Sequence, residues 1–147
     1  MTWEKLKVLG LLVLLPTLMT GCVPRLSFDG VLQAKGEGKG TVEVYPVPAD
    51  QAWEIAKTVF LEAGLETIHE YRGEGYMLSS STGTSRWLPT LMGAWIEPLD
   101  ESRTKVTVVR RPLNILTRLR EGTYHERFSQ AVQIIKAGKP LPLESPE

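Results

Sequence analysis

Few residues in this chain have side chains suited to catalysis or metal binding. His69 and His125 are the only histidines among the 147 residues. A metal site needs three or four ligands, so carboxylates would have to complete any site built on either imidazole. His69 and Glu70 are adjacent on a predicted strand, where neighbouring side chains point to opposite faces. His125 is expected in the solvated first turn of a helix. We therefore predict no metal site, no cofactor and no catalytic histidine.

Two further patterns resemble chemical motifs only superficially. The hydroxyl-rich run 79–85 contains no G-x-S-x-G turn, and no base is placed to activate a serine nucleophile. Gly36, Gly38 and Gly40 have the spacing of a phosphate-binding loop, but they precede a predicted strand. Phosphate loops instead follow a strand and open a helix. Neither pattern names a catalytic residue, and we predict that the protein is not an enzyme.

Composition excludes several other classes. Lys and Arg total 17, as do Asp and Glu, and the pI near 6.8 lacks the basic excess of a dedicated nucleic-acid binder. The single cysteine excludes an internal disulfide and a zinc site built on several thiolates. With 42% hydrophobic and 23% charged residues, the chain has the composition of one small folded domain.

The first 22 residues indicate a location. Lys5 and Lys7 precede an uncharged run at 8–19. As a helix this run would rise only about 18 Å, which is short of a hydrocarbon core of about 30 Å. It therefore fits the apolar region of a signal peptide better than a spanning helix. Thr20 and Gly21 follow, and then Cys22, the only thiol.

The sequence Leu18-Met-Thr-Gly-Cys22 resembles the lipobox of bacterial lipoproteins, with Met19 where that family usually has Leu. The resemblance implies that Cys22 is acylated, becomes the first residue of the mature chain and anchors it in a membrane. Val23 is not the Asp that retains many such proteins at the inner membrane, which favours the periplasmic face of the outer membrane. The alternatives are a buried first helix with an incidental Cys, and a plain secretory signal cut near Gly21.

Beyond the predicted signal peptide, 1–21, the pattern predicts a flexible tether over 22–40, with a short strand at 26–28 or 31–33. A single domain is predicted over 41–138 and a frayed tail over 139–147. Pro46 places the first strand at a sheet edge, since it cannot donate to a ladder. The second helix should begin with a capping box at Thr123–Glu126 and end near Gly138. The predicted order is β-α-β-β-β-β-α, an α+β two-layer sandwich of two helices on an antiparallel sheet.

This element order resembles the helix-and-sheet domains of periplasmic lipoproteins, including the repeated domains of the accessory lipoprotein BamC. The resemblance covers roughly 41–138 and lies in element order alone. It implies a periplasmic domain of that general shape and carries no functional residue to this chain.

Candidate binding residues come from one loop and from the charge distribution. Arg86 and Trp87 lie in a predicted loop, where the indole either covers the core edge or anchors a partner. Residues 41–102 carry three basic and ten acidic residues, whereas 103–127 carry seven basic and two acidic ones. The basic half, with Arg110, Arg111, Arg118 and Arg120, either neutralises acidic neighbours or forms a patch for an anionic partner.

Two functions remain open from the sequence. The first is a membrane-anchored envelope lipoprotein with a non-catalytic binding or structural domain, whose partner is an envelope protein or a cell-wall polymer rather than nucleic acid. The alternative is a periplasmic small-ligand carrier or hydrolase that uses a groove between sheet and helix.

Overall fold

The computed structural model describes residues 27–65, 67–81, 90–112 and 121–141. Its helices and strands in chain order are α1 (Asp29–Gly36), β1 (Thr41–Tyr45), α2 (Ala49–Glu62), β2 (Thr67–Tyr71), β3 (Tyr76–Ser80), β4 (Thr90–Pro98), β5 (Thr104–Pro112) and α3 (Glu121–Lys136). A 3₁₀ turn at Arg72–Glu74 joins β2 to β3. From β1 onward, the order is the predicted β-α-β-β-β-β-α. The α+β sandwich with an antiparallel sheet is thus confirmed.

The sheet has the strand order β1-β5-β4-β3-β2, and all neighbouring strands are antiparallel. β1 lies at one edge, as the Pro46 signal predicts, and pairs with β5 from Thr41 opposite Val108 to Tyr45 opposite Thr104. β4 and β5 occupy the centre of the sheet. Because the side-chain period of a strand is two, each of these central strands presents side chains to both faces.

The face that we call inner is covered by α2 and α3. Phe60 from α2 and Tyr124 and Phe128 from α3 are fully buried against it, and the Phe60 and Tyr124 rings lie 5.1 Å apart. The strands contribute buried apolar residues at alternating positions, namely Met77, Met92, Ala94, Ile96, Val106 and Val108. Burial of such side chains contributes roughly 1.5–3 kcal/mol each, which makes this layer the main core.

α2 and α3 both end at a glycine, as predicted for Gly138, but one helix start does not follow the predicted cap. Gly64 after α2 and Gly138 after α3 have φ values of 74° and 70°, the left-handed conformation that glycine adopts most readily. The capping box predicted at Thr123–Glu126 is wrong, because α3 already begins at Glu121 and Thr123 lies within its first turn.

The structure differs most from the sequence prediction at α1. Residues 29–36 form a helix rather than the predicted flexible tether or a short strand, and Val31 is fully buried. Val31 packs on the other face of the sheet, which we call outer, in a small cluster with Leu78, Leu91 and Val109. The glycines that follow α1 lie in the connection between α1 and β1. Gly40 has a φ of 110°, and a Cβ there would lie 2.5 Å from the Val108 carbonyl oxygen.

A pair of neighbouring substitutions tests this packing of α1. Val31→Ala removes methyl groups that are wholly buried, so it should lower the free energy of unfolding by roughly 1.5–3 kcal/mol. Leu32→Ala alters a side chain that is 39% exposed, so it should change the free energy of unfolding by less than about 0.5 kcal/mol. Denaturant unfolding of both variants gives the comparison. Equal midpoints for native protein and Val31→Ala would contradict the docking of α1.

Candidate binding surface

α1 covers only part of the outer face, and an aromatic row lies beside it. The row consists of Tyr71 on β2, Tyr76 on β3 and Trp95 on β4. The strand register sets Tyr71 opposite Tyr76 and Tyr76 opposite Trp95. The two tyrosine rings stack at 4.7 Å, and the rings of Tyr76 and Trp95 stack at 5.6 Å. Such cross-strand aromatic pairs stabilise a sheet.

Two glycines permit the geometry of the aromatic row. Gly75 closes the β2–β3 turn with a φ of 75°, which brings Tyr71 and Tyr76 side by side. Gly93 lies two residues before Trp95 on β4, on the same face. A Cβ at Gly93 would lie 2.7 Å from Cζ3 of the indole, so the ring extends along the strand over the space that Gly93 leaves open.

The aromatic row remains partly accessible to solvent. Tyr71 is 39% exposed, Tyr76 and Trp95 are half-buried, and Val42 on β1 is 55% exposed at the far end of the same face. Exposed aromatic and aliphatic side chains on one face are typical of an interaction surface, and Tyr and Trp are the residue types enriched in binding hot spots.

Charged groups surround the aromatic row. Lys35 of α1 places its Nζ 5.6 Å from the Trp95 ring centroid and 3.9 Å from Oε1 of Glu97. Lys105 forms a second ion pair with Glu97. Burial, together with the nearby Glu74 carboxylate, raises the pKa of the Tyr76 phenol, so this ring stays neutral in the physiological pH range. The aromatic row is therefore bordered by the ion pairs that Lys35 and Lys105 form with Glu97.

Two of the predicted basic residues, Arg110 and Arg111, lie at the end of β5. The guanidinium of Arg111 lies directly over Gly30 of α1, where a Cβ would be 1.5 Å from its Nη1. Both arginines line a cavity of about 360 Å³ that α1 also borders. As successive strand residues they point to opposite faces. Arg118 and Arg120 lie outside the described residues, so the four-arginine patch stays a prediction.

The other predicted site residues also lie outside the part of the chain that the structure describes. These are Cys22, for which lipidation is predicted, and Arg86 and Trp87 of the predicted partner-binding loop. The described residues thus place Arg110 and Arg111 near α1 and bring no further predicted site residue to them.

The prediction that His125 is solvated is wrong. His125 is 1% exposed and lies between α3 and the edge strand β1. Its Nδ1 is 2.7 Å from the Tyr45 hydroxyl, and its Nε2 is 3.2 Å from the Thr41 carbonyl oxygen. A neutral ring that donates from Nε2 to Thr41 can accept the Tyr45 proton at Nδ1. Both ring nitrogens are therefore engaged within the fold, which indicates a structural role.

His69 occupies a separate place from His125. It lies on the outer face of β2, where its ring contacts Phe28 edge-on at a centroid distance of 5.5 Å. Glu70 points to the inner face, as the strand alternation predicts. Within the described ranges, no group of three or more His, Cys, Asp or Glu side chains is placed to hold a metal ion.

A carboxylate network fastens α2 to the edge strand β2. Glu70 accepts a hydrogen bond from Trp53 Nε1 at 2.7 Å and pairs with Lys57 at 2.8 Å and Arg72 at 3.3 Å. Arg72 also stacks over the Trp53 ring at 4.8 Å. Hydrogen bonds from Lys57 and Trp53 lower the pKa of Glu70. This network holds β2, and with it Tyr71, in position.

Comparison with known proteins gives little further information. No protein-family model matches the chain, and no curated protein matches it. Among solved structures, the crystal structure of the Zhui aromatase/cyclase from Streptomyces sp. R1128 is 12% identical, with a TM-score of 0.29, over 67% of this chain and 86% of that one. At this level of similarity, the likeness supports no inference about function. Among the described residues, no helix combines the length and apolar character needed to cross a membrane.

Sequence reasoning missed the aromatic row, although a signal was present. β4 carries large apolar residues on both of its faces. Met92 and Ile96 point inward, and Leu91 and Trp95 point outward. Such a strand is expected to be covered on both faces. The pairing of Trp95 with Tyr76 and Tyr71, however, depends on a strand register that the sequence does not specify.

The pH dependence of stability tests the Glu70 network. Because folding lowers the pKa of Glu70, the ionised carboxylate stabilises the protein at any pH above the unfolded-state pKa of about 4.3. This stabilisation disappears as the pH falls through the lower pKa that Glu70 has in the folded state. At pH 7, Glu70→Gln should reduce the free energy of unfolding by up to about 1 kcal/mol, a modest effect because the carboxylate is partly solvated.

At pH 3, native protein and Glu70→Gln should unfold at more similar denaturant concentrations than at pH 7. Glu101→Gln, an exposed carboxylate in the β4–β5 turn, serves as the matched control and should have little effect at either pH. If Glu70→Gln lowered the free energy of unfolding equally at pH 7 and pH 3, the charge of Glu70 would not be what stabilises the fold.

Proposed function

We propose that this protein is a lipid-anchored envelope lipoprotein whose α+β domain is a non-catalytic binding module. The aromatic row on the outer face is the observation that carries the binding role. It combines Tyr and Trp side chains that are stacked, held by a regular sheet and left partly accessible. Rigid aromatic side chains lose little conformational entropy on binding, so they suit a recognition surface.

The anchoring half of the proposal rests on the sequence around Cys22. A basic start, a short apolar run, a small pair and the sole cysteine occur together there. One acyl chain holds a protein only marginally, whereas two or more hold it stably. The lipobox resemblance implies several chains, and Val23 favours the periplasmic face of the outer membrane.

The positions of the histidines support a binding role over a catalytic one. His69 lies on the outer face against Phe28, whereas His125 is buried between α3 and β1 with both nitrogens bonded. A groove between sheet and helix is the feature on which the alternative, a carrier or hydrolase, would depend. In the described part of that layer, fully buried side chains such as Phe60, Tyr124 and Phe128 occupy the interface.

Metabolic labelling with a clickable fatty acid tests the anchor directly. Native protein should take up the label, and Cys22→Ala should lose it entirely, because no other thiol is present in the chain. Cys22→Ser keeps nearly the size of the side chain and replaces the thiol by a hydroxyl, and it should lose the label as well. The lipoprotein proposal fails if the native protein is never labelled or if either variant retains the label.

A further inference from the structure

The described residues of this chain leave the aromatic row partly exposed, and its position relative to the membrane anchor suggests what covers it. We propose that the row docks on the lipid surface in which Cys22 is anchored, so that the outer face of the sheet lies against the membrane. This inference rests on the proposed function, because it takes the acylation of Cys22 as given. It adds the orientation of the domain and the chemistry of its partner.

The chain enters the domain beside the aromatic row. Phe28, just before α1, contacts the His69 ring. His69 and Tyr71 lie on the same face of β2 two residues apart, a distance of about 7 Å along a strand. The segment that leads to Cys22 therefore starts on the outer face, next to the exposed end of the aromatic row.

The distance from Phe28 to the anchor is short. Six residue steps separate Cys22 from Phe28, and at 3.3–3.6 Å per residue they span at most roughly 22 Å. The predicted tether of 22–40 would have allowed about three times that reach, but α1 is packed on the sheet. A binding surface that is tethered so close to a bilayer has a high effective concentration at that bilayer, about 10⁻³ M for short linkers. A weak apolar contact is then sufficient for docking.

The composition of the outer face suits a membrane interface. Tyr and Trp concentrate at the headgroup level of bilayers because their rings are amphipathic, and the row contains both. On the α1 side of the same face, Lys35 and Lys39 form ion pairs with Glu97 and Glu37. The guanidinium of Arg111 lies over Gly30 on that side. A cation at such a position attracts anionic headgroups.

The opposite side of the domain is unsuited to this contact. The solvent side of α2 carries Asp50, Glu54 and Glu62 against Lys57, and Arg72 pairs with Glu54. An acidic helix surface is repelled by anionic lipid, which disfavours α2 as the side that faces the membrane. The two sides of the sheet differ most clearly in exposed aromatic content.

Quenching of tryptophan by lipid tests the proposed orientation. The full-length chain, purified from the membrane, is reconstituted in vesicles of phosphatidylethanolamine and phosphatidylglycerol, with and without phospholipid whose acyl chains are brominated. The contribution of Trp95 is the difference between native protein and Trp95→Phe. We expect brominated lipid to quench this contribution. Trp53→Phe is the matched control, because Trp53 is buried under Arg72 on the inner side and its removal should leave the lipid quenching unchanged.

A second pair of variants tests the aromatic row without removing a tryptophan. Tyr71→Asp introduces a charge at a position that is 39% exposed, and it should reduce the quenching of Trp95. Leu61→Asp makes the same change at an equally exposed position on α2, away from the outer face, and should not reduce it.

Flotation of the same vesicles separates the failure of this inference from that of the anchor. Protein that floats with the vesicles and shows quenched Trp95 supports both proposals. Protein that floats while its Trp95 fluorescence is unaffected by brominated lipid overturns the docking and leaves the anchor intact. Protein that does not float overturns the anchor and the docking together.

Discussion

The antiparallel pairing of β4 with β5 is the constraint on which the rest of the domain depends. It runs from Thr90 opposite Pro112 to Pro98 opposite Thr104, and both strands carry apolar side chains on both faces. Each face must therefore be covered. α2 and α3 bury the apolar side chains of the inner face, whereas α1 covers the outer face around Leu78, Leu91 and Val109. The aromatic row is the part of the outer face that α1 leaves partly open.

This division explains why one short helix matters to both stability and function. α1 has eight residues, too few to be stable alone in water, so its helicity depends on packing against the sheet. By packing there it covers Leu78 and Leu91, and it also shortens the connection to Cys22. The same element therefore limits the exposed apolar area and places Phe28, from which the chain leads toward Cys22, next to β2 on the outer face.

Local signals in the sequence were sufficient to predict an element when its own residues determine its structure. Ile55, Val59 and Phe60 recur at helical spacing, which is a local signal for α2, and Pro46 predicted that β1 lies at an edge. α1 was missed because a helix with few apolar residues between glycines has no sustained periodicity, and its burial comes from packing on β3, β4 and β5. His125 was placed in solvent for a similar reason, since only the position of β1 brings Tyr45 and Thr41 to its ring.

The candidate site was less predictable than the fold because it depends on register. Tyr71, Tyr76 and Trp95 are distant enough in sequence that only the pairing of β2, β3 and β4 makes them neighbours. A shift of one residue would send Trp95 to the inner face. Composition and charge counts identified basic residues such as Arg111, but they contain no information on which side chains share a face.

Hydroxyl-radical footprinting in intact envelopes, compared with the purified full-length protein, tests the central claim most directly. If the outer face is the binding surface, the labelling of Tyr71 and Tyr76 should fall in the envelope, whatever the partner is. Leu61 on α2, which is as exposed as Tyr71, should be labelled equally in both samples. Unchanged labelling of the two tyrosines, with protection of Leu61 instead, would contradict the assignment of the aromatic row as the binding surface.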